Sequence, residues 1–143
     1  MKKKNLFPLL LISAVFIIII LQMKYSSKPI RKEVVPNQIQ KKIIASIGPQ
    51  ELNKMMKKKD FFLLDIYYPE QKHIIGTDRY IPFDQIVTRS KDLPKDKSKK
   101  IIIYCKNGSL GKIAAEEISK MGYIEVYYLE GGLDKWKKLG YRI

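Results

Sequence analysis

The single cysteine of the chain, Cys105, stands directly behind Ile101-Ile102-Ile103-Tyr104 and directly ahead of Lys106-Asn107-Gly108-Ser109-Leu110-Gly111-Lys112. A thiol that only filled a core would need neither the glycines nor the lysines behind it. Gly108 and Gly111 allow backbone conformations that turn several N–H groups toward one point. A helix opening near Gly111 adds the positive end of its dipole, and Lys106 and Lys112 add charge close by. Each feature favours a thiolate over a thiol, which predicts a nucleophilic sulfur held in an anion-binding loop. The same loop would hold an anionic sulfur species bonded to the thiol. The plain alternative is a small buried hydrophobe at a strand end.

Other residues narrow the chemistry. One cysteine and one histidine, His73, leave no thiolate or imidazole set for zinc and no intramolecular disulfide. The sequence therefore predicts no metal and no cofactor. Asp65 could orient the loop, although hydrogen bonding to local backbone suits a strand-end aspartate better. No arginine stands between Cys105 and Lys120, so nothing closes on a phosphate as a cysteine-dependent phosphatase requires.

These residues need a frame, and the pattern from Lys42 onward supplies one. Ile43-Ile44-Ala45-Ser46 reads as a short strand. Gly48-Pro49-Gln50-Glu51-Leu52 opens a helix with Leu52, Met55 and Met56 on its apolar face. Phe61–Ile66 reads as a strand covered on both sides, interrupted only by Asp65. Arg79–Pro82 is a brief extended piece, Phe83–Val87 a helical turn, and Lys91–Lys100 a solvated loop. Ile101–Tyr104 is the most apolar strand. Ala114, Ile118 and Met121 then recur at helical spacing, with Glu116 and Lys120 as an i,i+4 pair and Gly122 as the stop. Glu125–Leu129 is a further strand, and Gly131-Gly132 turns into a last helix carrying Leu133, Trp136 and Leu139. Alternation of this kind predicts an α/β fold with a parallel, doubly covered sheet. In such sheets chemistry collects outside the carboxyl ends of strands, which is where Cys105 stands.

The net charge is +14, yet it is unevenly placed. Residues 1–42 hold nine Lys/Arg and one acid, whereas the remainder holds 19 and 13. More than half of the excess therefore lies beside the uncharged, mostly apolar run Leu6–Met23. That placement suits anionic lipid headgroups better than nucleic acid. Residues 1–25, opening on Lys2-Lys3-Lys4, read as an uncleaved membrane anchor, with a cleaved secretory signal as the alternative. The basic start favours a cytoplasmic N-terminus and an exported domain, while Lys24, Lys28, Arg31 and Lys32 pull the other way. Residues 26–42 read as a basic tether and residues 43–143 as the domain.

The domain resembles the rhodanese-like family. Tyr104-Cys105-Lys106-Asn107-Gly108-Ser109, then Ala114-Ala115 and Met121-Gly122-Tyr123, resembles its active-site segment. Tyr128-Leu129-Glu130-Gly131-Gly132-Leu133-Asp134-Lys135-Trp136 with Gly140-Tyr141 is similar to its closing signature. Leu64-Asp65-Ile66, Pro69-Glu70 and His73-Ile74 with Gly76 match the earlier half. The resemblance implies a five-stranded parallel sheet between helices. It also implies sulfane-sulfur transfer through a persulfide on Cys105, from thiosulfate or another persulfide to a thiol acceptor. It places His73 in a structural turn rather than in catalysis. Active members carry arginine where this chain has Leu110 and Tyr67. Losing one charged contact to a donor costs roughly 1.5–3 kcal/mol, about ten- to a hundredfold. The expectation is thus weak thiosulfate affinity with Cys105 still able to carry sulfur. A second reading is a non-catalytic module for partner binding or redox sensing.

Overall fold

The computed structural model describes Ile20 and residues 41–143. The expected anchor and nearly all of the tether lie outside the described residues. Among the described residues no helix is long and apolar enough to cross a membrane. Residues 41–143 gather into one compact unit.

Along the chain run β1 (Ile43–Ile47), α1 (Pro49–Met56), β2 (Phe62–Asp65) and β3 (Arg79–Tyr80). There follow β4 (Ile101–Tyr104), α2 (Gly111–Lys120), β5 (Glu125–Leu129) and α3 (Gly132–Lys138). Short 3-10 turns cover Phe83–Gln85 and Ser90–Asp92. The strands make one five-stranded sheet in the order β1-β5-β4-β2-β3, and every neighbouring pair is parallel. The α/β expectation holds.

The most apolar strand, β4, takes the centre. A strand flanked on both edges and covered on both faces has no position left for water, so it must be apolar throughout. All of Ile101, Ile102, Ile103 and Tyr104 are fully buried. Burying one such side chain contributes about 1.5–3 kcal/mol. Side chains alternate across the strand. Ile101 and Ile103 pack with Leu64, Ala114, Ile118 and Val126 on the α2 side. Ile102 and Tyr104 pack with Leu52, Leu133 and Trp136 on the α1 and α3 side. Cys105 continues the alternation and therefore joins the α2 side.

The helices follow their sequence signals with two corrections. Pro49 opens α1 and Leu52 is its fully buried residue, while Gly122 ends the α2 segment at φ 99°. Lys120 pairs with Glu117 at 2.6 Å rather than with Glu116, because the i,i+3 carboxylate is the nearer one. Leu139, expected on the apolar face of α3, is 41% exposed because the helix ends at Lys138. Tyr141 takes that place, its ring 4.8 Å from the ring of Trp136. The charged loop of residues 91–100 is also more than solvated chain. Leu93 is buried, and Tyr123 Oη donates to the Pro94 carbonyl at 2.6 Å.

Candidate functional site

Parity sends the Cys105 side chain beneath the start of α2, and the thiol is 1% exposed. Its sulfur is not surrounded by aliphatic groups alone. The N–H of Gly108 donates to Cys105 Sγ at 3.2 Å, so the loop folds back over its own first residue. That turn requires φ +85° at Gly108, which an L side chain rarely adopts. Asn107 Oδ1 accepts the Ser109 N–H at 3.1 Å and tightens the next step. Gly111 N–H then bonds the Gly108 carbonyl at 3.2 Å, and α2 begins. No side chain caps α2, so the Lys112 and Ile113 amides of its first turn are left to water or to an anion.

The loop is fastened from the neighbouring strand. β5 lies beside β4, and the turn after β5 brings the first turn of α3 against the cysteine loop. Leu133 N–H donates to the Cys105 carbonyl at 2.9 Å, and Asp134 N–H to the Lys106 carbonyl at 2.8 Å. Gly132 makes this approach possible. A Cβ there would collide with the Cys105 carbonyl oxygen and come within 2.7 Å of Gly108 N. The twin glycines were visible in the sequence as a turn. Their contact with Cys105 was not, since it depends on strand order.

The expected site residues divide into those the loop gathers and those it does not. Cys105, Asn107, Gly108, Ser109 and Gly111 act together as described. Lys112 is exposed in the first turn of α2. Lys106 does not lend its charge to the sulfur, since its Nζ lies 3.2 Å from each carboxylate oxygen of Asp134. The sequence expectation for Lys106 is corrected on that point. Leu110 packs inward on the cluster that holds Cys105, and Tyr67 does the same from the end of β2.

Asp65 and His73 form a unit of their own beside the loop. Asp65 is fully buried at the end of β2, paired in register with Tyr104. Its oxygens accept the Tyr67 N–H at 3.0 Å and face His73 Nδ1 at 2.9 Å. His73 Nε2 faces Glu70 Oε1 at 3.1 Å. Burial alone would lower the His73 pKa, but the bonds to Asp65 and Glu70 outweigh it and hold the value above 6.5. Both ring nitrogens are thus engaged with residues 65–70, and none reaches Cys105. Nearby, the Tyr104 hydroxyl accepts the Ile74 N–H at 3.1 Å and meets Thr77 Oγ1 at 2.8 Å. Burial pushes that phenol well above its ordinary pKa.

A hollow of about 370 Å³ lies on the opposite side of the sheet, lined by Met56, Ile75, Trp136, Tyr141 and Arg142 among others. It holds no nucleophile, so volume and chemistry point to different places. The chemistry is at the loop. Among the described residues no cluster of His, Cys, Asp and Glu stands ready for a metal.

The family profile of the rhodanese-like domain matches residues 48–139. The protein YqhL of Bacillus subtilis (strain 168) is 32% identical over 100 residues, covering 68% of this chain and 75% of its own length. Thiosulfate sulfurtransferase GlpE of Coxiella burnetii is 27% identical over 94 residues, covering 64% of this chain and 85% of its own. The crystal structure of a rhodanese-related protein from Thermoplasma volcanium superposes with TM-score 0.57 at 26% identity, covering 68% of this chain and 95% of that one. The match runs through the loop, the Asp65 unit and the α3 clamp alike, and the chain belongs to the rhodanese-like domain family.

Proposed function

We propose that this domain is a sulfurtransferase that carries sulfane sulfur as a persulfide on Cys105. The observation that carries the reading is the Gly108 N–H donated to Cys105 Sγ at 3.2 Å, at the mouth of an uncapped helix. The thiolate attacks the outer sulfur of thiosulfate or of a persulfide R–S–S⁻. A new S–S bond forms to Cys105 while the donor's S–S bond breaks, releasing sulfite or RS⁻. The terminal sulfur carries the negative charge, and the loop amides oppose it. An acceptor thiolate then attacks that terminal sulfur, takes it as its own persulfide, and returns Cys105 as thiolate. No external oxidant or reductant enters.

Thiosulfate is a poor donor in this reading. Leu110 and Tyr67 offer no charge, and Lys106 is spoken for by Asp134. A persulfide of lower charge fits the site better. A non-catalytic module for partner binding or redox sensing is the second reading, favoured by the 1% exposure of Cys105. Residues 1–25 are proposed as a membrane anchor with the domain exported, on the strength of the apolar run and its basic flank. Protease accessibility in intact cells tests that part.

The test of the chemistry treats the full chain with thiosulfate or an organic persulfide and weighs it by mass spectrometry. The expected result is one added sulfur on Cys105, released as thiocyanate by cyanide and absent from Cys105→Ser. No adduct from either donor, with Cys105→Ser indistinguishable, would leave the module reading.

A further inference from the structure

Charge is unevenly divided between the two ends of the sheet. Beyond the carboxyl ends of the strands the acids Glu70, Asp84, Glu130 and Asp134 stand with Lys72, Lys106, Lys112 and Lys135, so the two signs roughly offset. The amino ends carry an excess of lysine. Lys41 and Lys42 lead into β1, and Lys42 Nζ donates to the Ser119 carbonyl at the foot of α2 at 3.0 Å. Lys57, Lys58 and Lys59 lead from α1 toward β2. Lys97, Lys99 and Lys100 lead into β4. Lys99 Nζ donates to the Asp60 carbonyl, and Ile124 N–H bonds the Lys97 carbonyl at 3.1 Å, which ties these connections into one face.

The acids on that face are fewer than its lysines: Asp78 is engaged by Lys59 and Glu125 by Lys100, and Asp60 and Asp96 stand exposed among the lysines. Lys41, Lys57, Lys58, Lys95 and Lys97 are exposed, and among the described residues none of them makes an ion pair. Lys97 rests on the Tyr123 ring, 3.8 Å from its centroid, with that ring itself buried.

We infer that this face docks on an anionic lipid surface and holds the Cys105 loop on the side turned away from the headgroups. The inference rests in part on the anchor reading of residues 1–25. The composition of the face favours lipid over nucleic acid. Its cations are nearly all lysines, compact point charges suited to a headgroup layer, rather than arginine forks. Among the described residues no exposed aromatic ring offers a base a stacking platform there, as single-stranded nucleic acid would want. The chain also enters the domain through Lys41-Lys42, separated by eight residues from Lys32, the last basic residue of the stretch that follows the apolar run. A tether of residues 26–42 extends at most about 60 Å, which keeps an anchored domain near the surface.

The test mixes the full chain with vesicles of phosphatidylcholine alone, or with about one third phosphatidylglycerol, floats them, and maps lysines by amine labelling. On anionic vesicles Lys57, Lys58 and Lys97 should label at least about threefold less than on neutral ones, and about 0.5 M salt should abolish the difference. Lys112 at the opposite end should label alike on both. Replacing Lys57, Lys58 and Lys95 by Gln, all on the surface, should weaken docking roughly a hundredfold and expose Lys97 to label. Equal labelling on both lipids overturns the docking while flotation on both upholds the anchor. Flotation on anionic vesicles alone, lost in salt, with these lysines protected, supports the docking and sinks the anchor. Stronger protection by duplex DNA than by anionic vesicles overturns the choice of partner.

Discussion

The carbonyl oxygen of Cys105 accepts the N–H of Leu133 at 2.9 Å, which makes the first turn of α3 a clamp on the cysteine loop. The clamp closes because Gly132, at φ +54°, lets two backbones pass closer than any side chain permits. Gly132→Ala must therefore move one of them. It should destabilise the domain by about 1–3 kcal/mol. Sulfur loading on Cys105 should fall further than the folded fraction does, since the loop loses its shape before the sheet loses its core. Urea unfolding and persulfide mass, measured on the same sample, separate the two effects. Loading that tracks the folded fraction alone would show that the clamp is merely structural.

Leu110 stands at the N-cap of α2 with no polar group to offer. In Leu110→Arg a guanidinium would sit where a donor oxyanion arrives, worth about 1.5–3 kcal/mol to the charged complex. Thiosulfate loading should rise about ten- to a hundredfold, and loading from a low-charge persulfide should change little. A parallel rise for both donors would mean that the arginine acts on the sulfur and not on the oxyanion.

These two positions also show where reading the chain stops. The strand Ile101–Tyr104, the turn behind it and the place of Cys105 follow from local pattern, and the sheet bears them out. Which way Cys105 points follows too, once Ile101 and Ile103 are assigned to a face. The clamp does not follow, because Gly132 meets Cys105 only when β5 lies next to β4, an order that local periodicity does not encode. Lys106 misleads for the same reason: its partner Asp134 arrives from α3, 28 residues away. Leu139 misleads by a subtler route. The apolar spacing was right, but α3 ended one residue sooner.

His73 gives the domain a pH signature. Burial opposes its charge, yet Asp65 and Glu70 raise its pKa above 6.5 in the folded state. A raised value stabilises the fold fully below about 6.5 and loses that contribution as pH climbs through the folded-state pKa. Stability should thus fall in the wild type as pH rises above about 6.5, and His73→Gln should flatten that slope. Parallel slopes in the two proteins would mean that some other group carries the dependence.

Tyr104 and Thr77 secure the segment after His73 to the central strand. The Tyr104 hydroxyl is fully buried and accepts the Ile74 N–H at 3.1 Å. Tyr104→Phe keeps the ring but orphans that amide, which should cost about 1–3 kcal/mol. Amide exchange at Ile74 should speed up more than exchange at Ile103, which remains in the sheet. Equal acceleration at both sites would show global loosening in place of a local release.

Lys106 and Lys112 flank the same loop and make opposite predictions. Lys106 is held by both oxygens of Asp134 in a half-exposed pair, so its charge is largely cancelled toward the sulfur. Lys106→Gln should change stability by less than about 1 kcal/mol and sulfur loading by less than about twofold. Lys112, exposed on the first turn of the uncapped α2, meets an incoming anion with its charge intact. A unit charge about 4 Å from an anion in water is worth about 1 kcal/mol, so Lys112→Gln should slow thiosulfate loading by at most roughly fivefold, less so at high salt. A larger loss from Lys106→Gln than from Lys112→Gln would mean that the Asp134 pair opens when the donor binds, and the loop's charge would have to be reassigned.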